Sequence, residues 1–298
     1  MIQFKRAIGI GVYDGLTARV AARYSFDFVW LSSFSISASQ GLPDSSIVDS
    51  SELASIVRVV TRNTPLPTVV DLDAGYGDPL KVRHVAYEMA RSGSSAVCIE
   101  DNPTSKRSSL YRSERRELVS AEQHCARIEA AQLGVRESSL PCSVIARTEA
   151  LVAGLGAEEA LRRASIYVDA GASAVFVQSV DPTGQDLMQF LAGWNGRAPV
   201  FVAPTLQNHH SAEDFWGAGA THVIFANHGL RAALMAIDSV FASLARSRRI
   251  SAVEGSISTV DDVANLTNAL SALCSFHFIP SPPLAHPSDA NLKAAENV

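Results

Sequence analysis

Eight short apolar runs, each followed by a longer segment of helical spacing or a long loop, constrain this chain more than any other feature. The runs cover residues 7–12, 26–32, 68–72, 96–100, 143–147, 174–178, 200–203 and 222–226. Each has strand length and is nearly continuous in apolar residues, as parallel strands buried on both faces require. Helical spacing is read over 51–62, 81–92, 121–131, 157–170, 211–217 and 230–245. Three helix-to-strand junctions carry a small-Gly-small triplet: Ser92-Gly93-Ser94, Ala170-Gly171-Ala172 and Ala218-Gly219-Ala220. Each puts glycine just past a helix, where a left-handed residue is needed. An open doubly wound sheet alternates in the same way, but a count of eight favours an α/β fold of the (β/α)8, TIM-barrel type. The 298 residues suffice for such a barrel, which takes about 250. A further helical stretch at 260–273 follows the eighth barrel helix. The expected organisation is therefore a barrel with a C-terminal helix over 1–275, then a Pro- and Ser-rich tail of little order over 276–298.

Composition narrows the function classes. Hydrophobic residues make up 47% and charged residues 18%, which supports a buried core and excludes a disordered chain. A net charge of −5 lacks the basic stripe of a nucleic-acid binder. No run of 18 apolar residues is present, so no membrane span is expected. The N-terminus lacks a signal-peptide apolar region. Cys98, Cys125, Cys142 and Cys274 have no metal-like spacing. They read as reduced thiols in a cytoplasmic protein.

In a parallel barrel the chemistry sits where the strands end, so the polar residues closing each apolar run are the candidates. The third run closes on Asp71-Leu72-Asp73, and period-two spacing points both carboxylates to one face. Like charges that close are costly unless a cation holds them. Asp44, after the second run, and Glu100, closing the fourth, complete a set of hard oxygen ligands with Asp71 and Asp73. Such a set suits Mg²⁺, with Mn²⁺ as the alternative. Arg147, closing the fifth run, is the cation of this ring and suits a carboxylate, phosphate or phosphonate. A salt bridge from Arg147 to Glu149 or Glu100 is the competing reading. The loop 102–118 carries Lys106, Arg107, Arg112, Arg115 and Arg116. It reads either as a lid over an anionic substrate or as an ordinary solvated loop.

These strand-end residues resemble the phosphoenolpyruvate mutase/isocitrate lyase superfamily, and within it the phosphoenolpyruvate mutase and phosphonopyruvate hydrolase branch. The most specific stretches are Ile36-Ser37-Ala38-Ser39 with Gly41-Leu42-Pro43-Asp44, Asp71-Leu72-Asp73-Ala74-Gly75-Tyr76-Gly77, Ile99-Glu100-Asp101, Ile145-Ala146-Arg147-Thr148-Glu149-Ala150 and Ala226-Asn227-His228-Gly229-Leu230-Arg231. The resemblance implies Mg²⁺ on Asp71, with Asp44, Asp73 and Glu100 contributing directly or through water. It implies that Trp30, Ser32 and the backbone N–H groups of Ser33 and Phe34 line a 2-oxo or enol acid site, with Asn227 also binding substrate. Arg147 would hold the substrate's anionic groups. It further implies a homodimer or homotetramer in which a C-terminal helix is exchanged between subunits.

The departures from the family bear on the reaction. The superfamily's lyases carry a cysteine in a Lys-Lys-Cys-Gly-His or Lys-Arg-Cys-Gly-His stretch; here the stretch reads Ser105-Lys106-Arg107-Ser108-Ser109-Leu110. Mutases have Lys-x-Asn-Ser there, and hydrolases replace the Asn by Thr. Lys106 and Ser109 match both, while Ser108 holds the discriminating place and, as a hydroxyl, sits nearer the hydrolases. Gln178-Ser179 stands where His-Ser is usual, and Gln cannot become cationic. Asn102 replaces a Lys, Ser105 a Pro, and Ala74 a Thr. The leading expectation is a phosphoenolpyruvate mutase, an isomerase, with Asp44, Lys106, Ser108, Arg147 and Gln178 as its catalytic groups. The alternatives are a phosphonopyruvate hydrolase, a divergent oxyacid carbon–carbon lyase or specialised biosynthetic enzyme, and a non-catalytic oxyacid-binding module.

Overall fold

The computed structural model describes residues 6–104, 108 and 116–268. Eight parallel strands close into a barrel in sequential order: β1 (Ala7–Val12), β2 (Phe28–Leu31), β3 (Thr68–Asp71), β4 (Ala96–Glu100), β5 (Ser143–Thr148), β6 (Ala174–Val177), β7 (Val200–Val202) and β8 (His222–Phe225). Closure is explicit in β1, where Gly9 pairs with Phe28 on one side and Ile224 on the other. The helices are α1 (Gly15–Ala21), α2 (Ser33–Ser39), α3 (Ser50–Asn63), α4 (Pro79–Arg91), α5 (Ala121–Ser138), α6 (Gly156–Asp169), α7 (Gln185–Gly193), α8 (Ala212–Ala218) and α9 (His228–Ser247). The barrel unit runs to Arg246. A second unit begins at Ser247 and holds α10 (Val260–Asn268). The expected boundary at 275 and the tail over 276–298 lie outside the described residues.

Local chemistry sets the helix starts. Asp14, Asp49, Ser120 and Ser211 each form a capping box, such as Asp49 accepting from the Glu52 N–H while Glu52 accepts from that of Asp49. Each cap contributes about 1 kcal/mol. Helix α5 runs to Ser138, past the 131 read from periodicity. Its Gly134 breaks the apolar pattern but serves packing against α4: a Cβ there would lie 2.0 Å from the Arg83 carbonyl. Helices α1, α2 and α7 go beyond the sequence expectation. They span seven, seven and nine residues, too short for a helical period to stand out.

The apolar core has an inner and an outer part. Inside the barrel, Phe28, Trp30, Val69, Cys98, Ile145, Phe176, Phe201 and Ile224 interlock. Outside it, residues such as Val29, Val70, Val97 and Val144 pack beneath helix residues such as Val57, Val85 and Ile128. Alternate residues of one strand thus serve the two layers, as a sheet covered on both faces requires. Helix α9 differs: it buries no side chain, and Leu234, Met235, Ile237 and Phe241 are exposed. No described helix is long and apolar enough to cross a membrane.

Candidate active site

The C-terminal ends of the strands surround a cleft enclosing about 440 Å³, the solvent at its mouth included. Trp30 comes from β2, and Ser32 follows it as the cap of α2, accepting from the Ser35 N–H. Ser33 and Phe34, in the first turn of α2, line the cleft beside Asp44, Asp71, Ser108, Arg147, Gln178 and Asn227. Ten of the residues named from the sequence therefore meet in one place. Lys106 and Ser109 lie outside the described residues.

Arg147 is the cation among the described residues that line the cleft. Its Nε donates to Glu149 Oε1 at 2.6 Å and lies 3.4 Å from Glu100 Oε2. Its Nη2 donates to Gln178 Oε1 at 2.8 Å, and its Nη1 is 3.8 Å from Asp71 Oδ2. Its Cζ stands 4.8 Å from the centre of the Phe176 ring, which Trp30 meets edge-on at 5.3 Å. Burial works against the guanidinium's charge, but Glu149, Glu100 and Asp71 outweigh it and raise the pKa well above the ordinary value. The salt bridges read from the sequence are present, and Arg147 also faces the cleft. An Arg offers only donors, so its bond fixes the Gln178 amide with oxygen toward Arg147.

The carboxylates are less uniform than their spacing implied. Asp71 ends β3 and lines the cleft, where its Oδ2 accepts from Ser33 Oγ at 3.1 Å. Asp73 does not join the lining. The strand has already ended, and Asp73 takes a left-handed φ of 50°. Its Oδ2 accepts from Ser46 Oγ at 2.8 Å, and its N–H donates to Asp71 Oδ1. Alternation holds only inside a strand, so the period-two argument does not extend to Asp73. Glu100 is wholly buried, with Oε1 accepting from Asn102 Nδ2 at 2.8 Å. The Asn102 departure thus supplies a neutral donor to Glu100.

The donor set is what a cofactor must fit. Asp44, Asp71, Asp73, Glu100 and Glu149 are each no more than 5% exposed, against one cleft-lining guanidinium among the described residues. Buried carboxylates that lie close together are a setting a cation would stabilise. Among the described residues no three His, Cys, Asp or Glu side chains are placed to hold a metal between them. The set therefore fits a hard cation that takes few direct protein ligands and keeps its waters, as Mg²⁺ does. It does not fit a closed protein cage.

Four lining residues, Phe176, Ala203, Thr205 and Ala226, are given no role in the sequence reading. Phe176 lies two positions before Gln178 on β6, so the same period of two that points Gln178 inward marks it. Ala203 and Thr205 follow β7 and line the cleft, as does Ala226 after β8. Asn227 Oδ1 is buried without a hydrogen-bond partner among the described residues, a feature no sequence pattern carries. Cys98 sits on β4 near Asp71. Burial, then Asp71, push its thiol pKa well up, so it remains a neutral core group.

Known proteins resemble this chain in sequence and fold. A family model described as phosphoenolpyruvate phosphomutase matches residues 5–245. A phosphoenolpyruvate phosphomutase from Streptomyces hygroscopicus is 35% identical over 258 residues, covering 86% of this chain and 82% of that protein. The crystal structure of a phosphoenolpyruvate phosphomutase from Streptomyces platensis subsp. rosaceus matches with a TM-score of 0.86 and 37% identity, covering 91% of this chain and 93% of that one. A phosphonopyruvate hydrolase in complex with oxalate and Mg²⁺ matches with a TM-score of 0.83 and 29% identity, covering 91% and 94%.

Proposed function

The chain belongs to the phosphoenolpyruvate phosphomutase family, and we propose that it interconverts phosphoenolpyruvate and phosphonopyruvate with Mg²⁺ at the mouth of its barrel. The observation that carries this is the pairing in one cleft of Asp71, in a field of buried carboxylates, with Arg147. Asp71 would ligate Mg²⁺ directly, and Asp44, Asp73 and Glu100 would act through its waters. When bound, the ion supplies Lewis-acid stabilisation of charge on the substrate's carboxylate and enol or keto oxygen. The hydrolase relative holding oxalate and Mg²⁺ supports this choice of ion; Mn²⁺ suits the same oxygens.

The chain's own groups position the acid. Trp30 and Phe176 wall the cleft, and Ser32, Ser33 and Phe34 present hydroxyl and backbone donors to the carboxylate. Arg147, already protonated and oriented, holds the anionic groups with no reorganisation during reaction. Gln178 would turn its amide N–H groups to the phosphoryl oxygens, together with Ser108, Lys106 and Ser109. Asn227 completes the polar wall. Phosphoryl transfer between oxygen and carbon needs mainly such positioning and charge stabilisation.

A ³¹P NMR time course with phosphonopyruvate and Mg²⁺ tests the reading. Growth of the phosphoenolpyruvate resonance is expected. Free phosphate with no phosphoenolpyruvate would instead establish a hydrolase. That second reading is favoured by one observation: Ser108, a hydroxyl, is buried and lines the cleft.

We also infer a homodimer or homotetramer in which a second copy covers α9. A 20-residue helix with no buried side chain and four large exposed apolar residues is a face that water does not stabilise. Light scattering on the eluted protein at micromolar concentration should give a multiple of 31.7 kDa; the monomer mass would overturn it. The free thiols of Cys98, Cys125 and Cys142 support a cytoplasmic setting.

A further inference from the structure

Asp101 does not line the cleft, yet four donors converge on its fully buried carboxylate. Two come from the end of β5: the Glu149 backbone N–H reaches Oδ1 at 2.8 Å, and Thr148 Oγ1 reaches Oδ2 at 2.9 Å. Two come from α6: Tyr167 OH at 2.8 Å and Arg163 Nη1 at 3.1 Å, both to Oδ2. The Asp101 N–H donates in turn to the Arg147 carbonyl at 3.2 Å. Three consecutive residues, 147 to 149, are therefore tied to a single aspartate. The last of them, Glu149, takes the Arg147 Nε at 2.6 Å. A line of short contacts runs from α6 through Asp101 to the guanidinium in the cleft.

We propose that Asp101 is a positioning residue for Arg147, held from behind by Tyr167 and Arg163 of α6. A guanidinium on a long side chain has many rotamers, and anion recognition needs one of them. Here that choice is made by the main chain of 147–149 and the Glu149 carboxylate, and Asp101 sets both. The place calls for an acceptor on both oxygens, because the Glu149 N–H and Arg163 Nη1 can only donate. An Asn at 101 would turn an N–H₂ toward donors on one side. Tyr167 makes a comparable difference without touching the cleft, since its phenol is one of the two α6 groups that fix Oδ2.

The proposal rests on the reading that Arg147 holds a substrate anion, and oxalate with Mg²⁺ is a probe that does not depend on turnover. Tyr167→Phe and Thr148→Val each remove one donor to Asp101 at almost constant volume. Each should weaken oxalate binding by calorimetry about threefold and raise KM for phosphonopyruvate by a similar factor. Asp101→Asn should weaken oxalate about tenfold or more. Thr148→Ser keeps the hydroxyl and should restore affinity. Arg197→Ala, which breaks an exposed pair with Asp169 at the end of α6, should leave affinity unchanged. If Tyr167→Phe and Thr148→Val lower the melting temperature but leave oxalate affinity and KM as in the parent, Asp101 is structural only and the proposal falls. If the parent turns over neither phosphorus substrate while oxalate affinity follows this pattern, the functional reading fails and the positioning role stands. Should Asp101→Asn fail to fold, the two milder variants still decide the matter.

Discussion

The two ends of the barrel are built from the same eight strands and solve opposite problems. At the N-terminal end, Gly9 leaves room for the Phe28 ring, which a Cβ would meet at 2.3 Å. Phe201 stacks on His222 at 3.9 Å, and Phe28 meets both rings edge-on. That end is closed by ring packing, although His222 Nε2 is buried there without a hydrogen-bond partner among the described residues. At the C-terminal end, the buried carboxylates of Asp71, Glu100 and Glu149 face Arg147, the one cleft-lining guanidinium among the described residues. That end gathers buried negative charge of the kind a bound cation would stabilise. The strand middles offset both through continuous apolar burial. The difference separates residues whose loss should unfold the chain from residues whose loss should silence it.

Arg147→Met breaks the comparison hardest at the functional end. It removes the guanidinium from the cleft and leaves Glu149, Glu100 and Asp71 without their shared countercharge. Steady-state kcat/KM for phosphonopyruvate should fall about 10³-fold or more, the scale of losing a preorganised charge-stabilising donor. Arg147→Lys should recover little, because an ammonium cannot reach Glu149 and Gln178 at once. Retention of activity within about tenfold in both variants would remove Arg147 from the chemistry.

Phe28→Ala is the matching insult at the closed end. The ring is fully buried between Phe201 and His222. Truncation should cost about 3–5 kcal/mol of unfolding free energy, through lost transfer energy and a cavity. Urea denaturation reads this directly. The kcat per folded molecule, measured well below the transition, should change less than about twofold. A large fall in kcat at full folding would show that the two ends are mechanically coupled.

How far these ends are legible in the sequence follows from what each is made of. Strands β1 and β4 can be read to the residue, because an apolar run bounded by polar residues marks both its limits. The strand-end polar residues are legible for the same reason: Asp71, Arg147 and Gln178 interrupt apolar runs. Asp73 is not, since its place depends on a left-handed φ just past the strand, which residue type does not announce. Helix α2, which brings Ser33 and Phe34 to the cleft, escapes the reading because seven residues rich in Ser show no apolar period. The Asp101 cluster is invisible for a different reason. Its donors come from 148, 149, 163 and 167, and only the closed barrel brings α6 and the ends of β4 and β5 together.

His222 gives a smaller, pH-dependent effect that belongs to the closed end alone. Burial pulls its pKa from 6.5 down to about 4, so the folded chain resists protonation where the unfolded chain accepts it. The stability this residue permits is fully present above pH 6.5 and is lost progressively as pH falls toward 4. Between about pH 6.5 and pH 5 the loss amounts to about 1.5 kcal/mol. His222→Phe preserves a ring to stack on Phe201 and cannot protonate. The difference between its urea midpoints at about pH 8 and about pH 5 should be smaller than the parent's; an equal difference would assign the acid sensitivity to other groups.

Gln178→His should produce the smallest change, and it tests the functional end most finely. Gln178 Oε1 accepts from Arg147 Nη2 at 2.8 Å, so an imidazole placed there must offer a neutral nitrogen to keep that bond. Arg147 opposes protonation of the ring, whereas a phosphoryl or phosphonyl dianion in the cleft favours it. The two influences act in opposite senses, so the net gain in affinity should stay near tenfold, about 1.4 kcal/mol. Its signature lies in the sign of the pH dependence. With Gln178 the recognition of the distal anion carries no titrating group at this position. In the Gln178→His variant, the ratio of variant to parent kcat/KM for phosphonopyruvate should rise as pH falls from about 8 to about 6. A ratio that is flat across that range would mean residue 178 only buttresses Arg147 and does not meet the distal group. A ratio that falls would mean the protonated ring disturbs Arg147 more than it helps the substrate, and the neutral amide would then be the form this cleft requires.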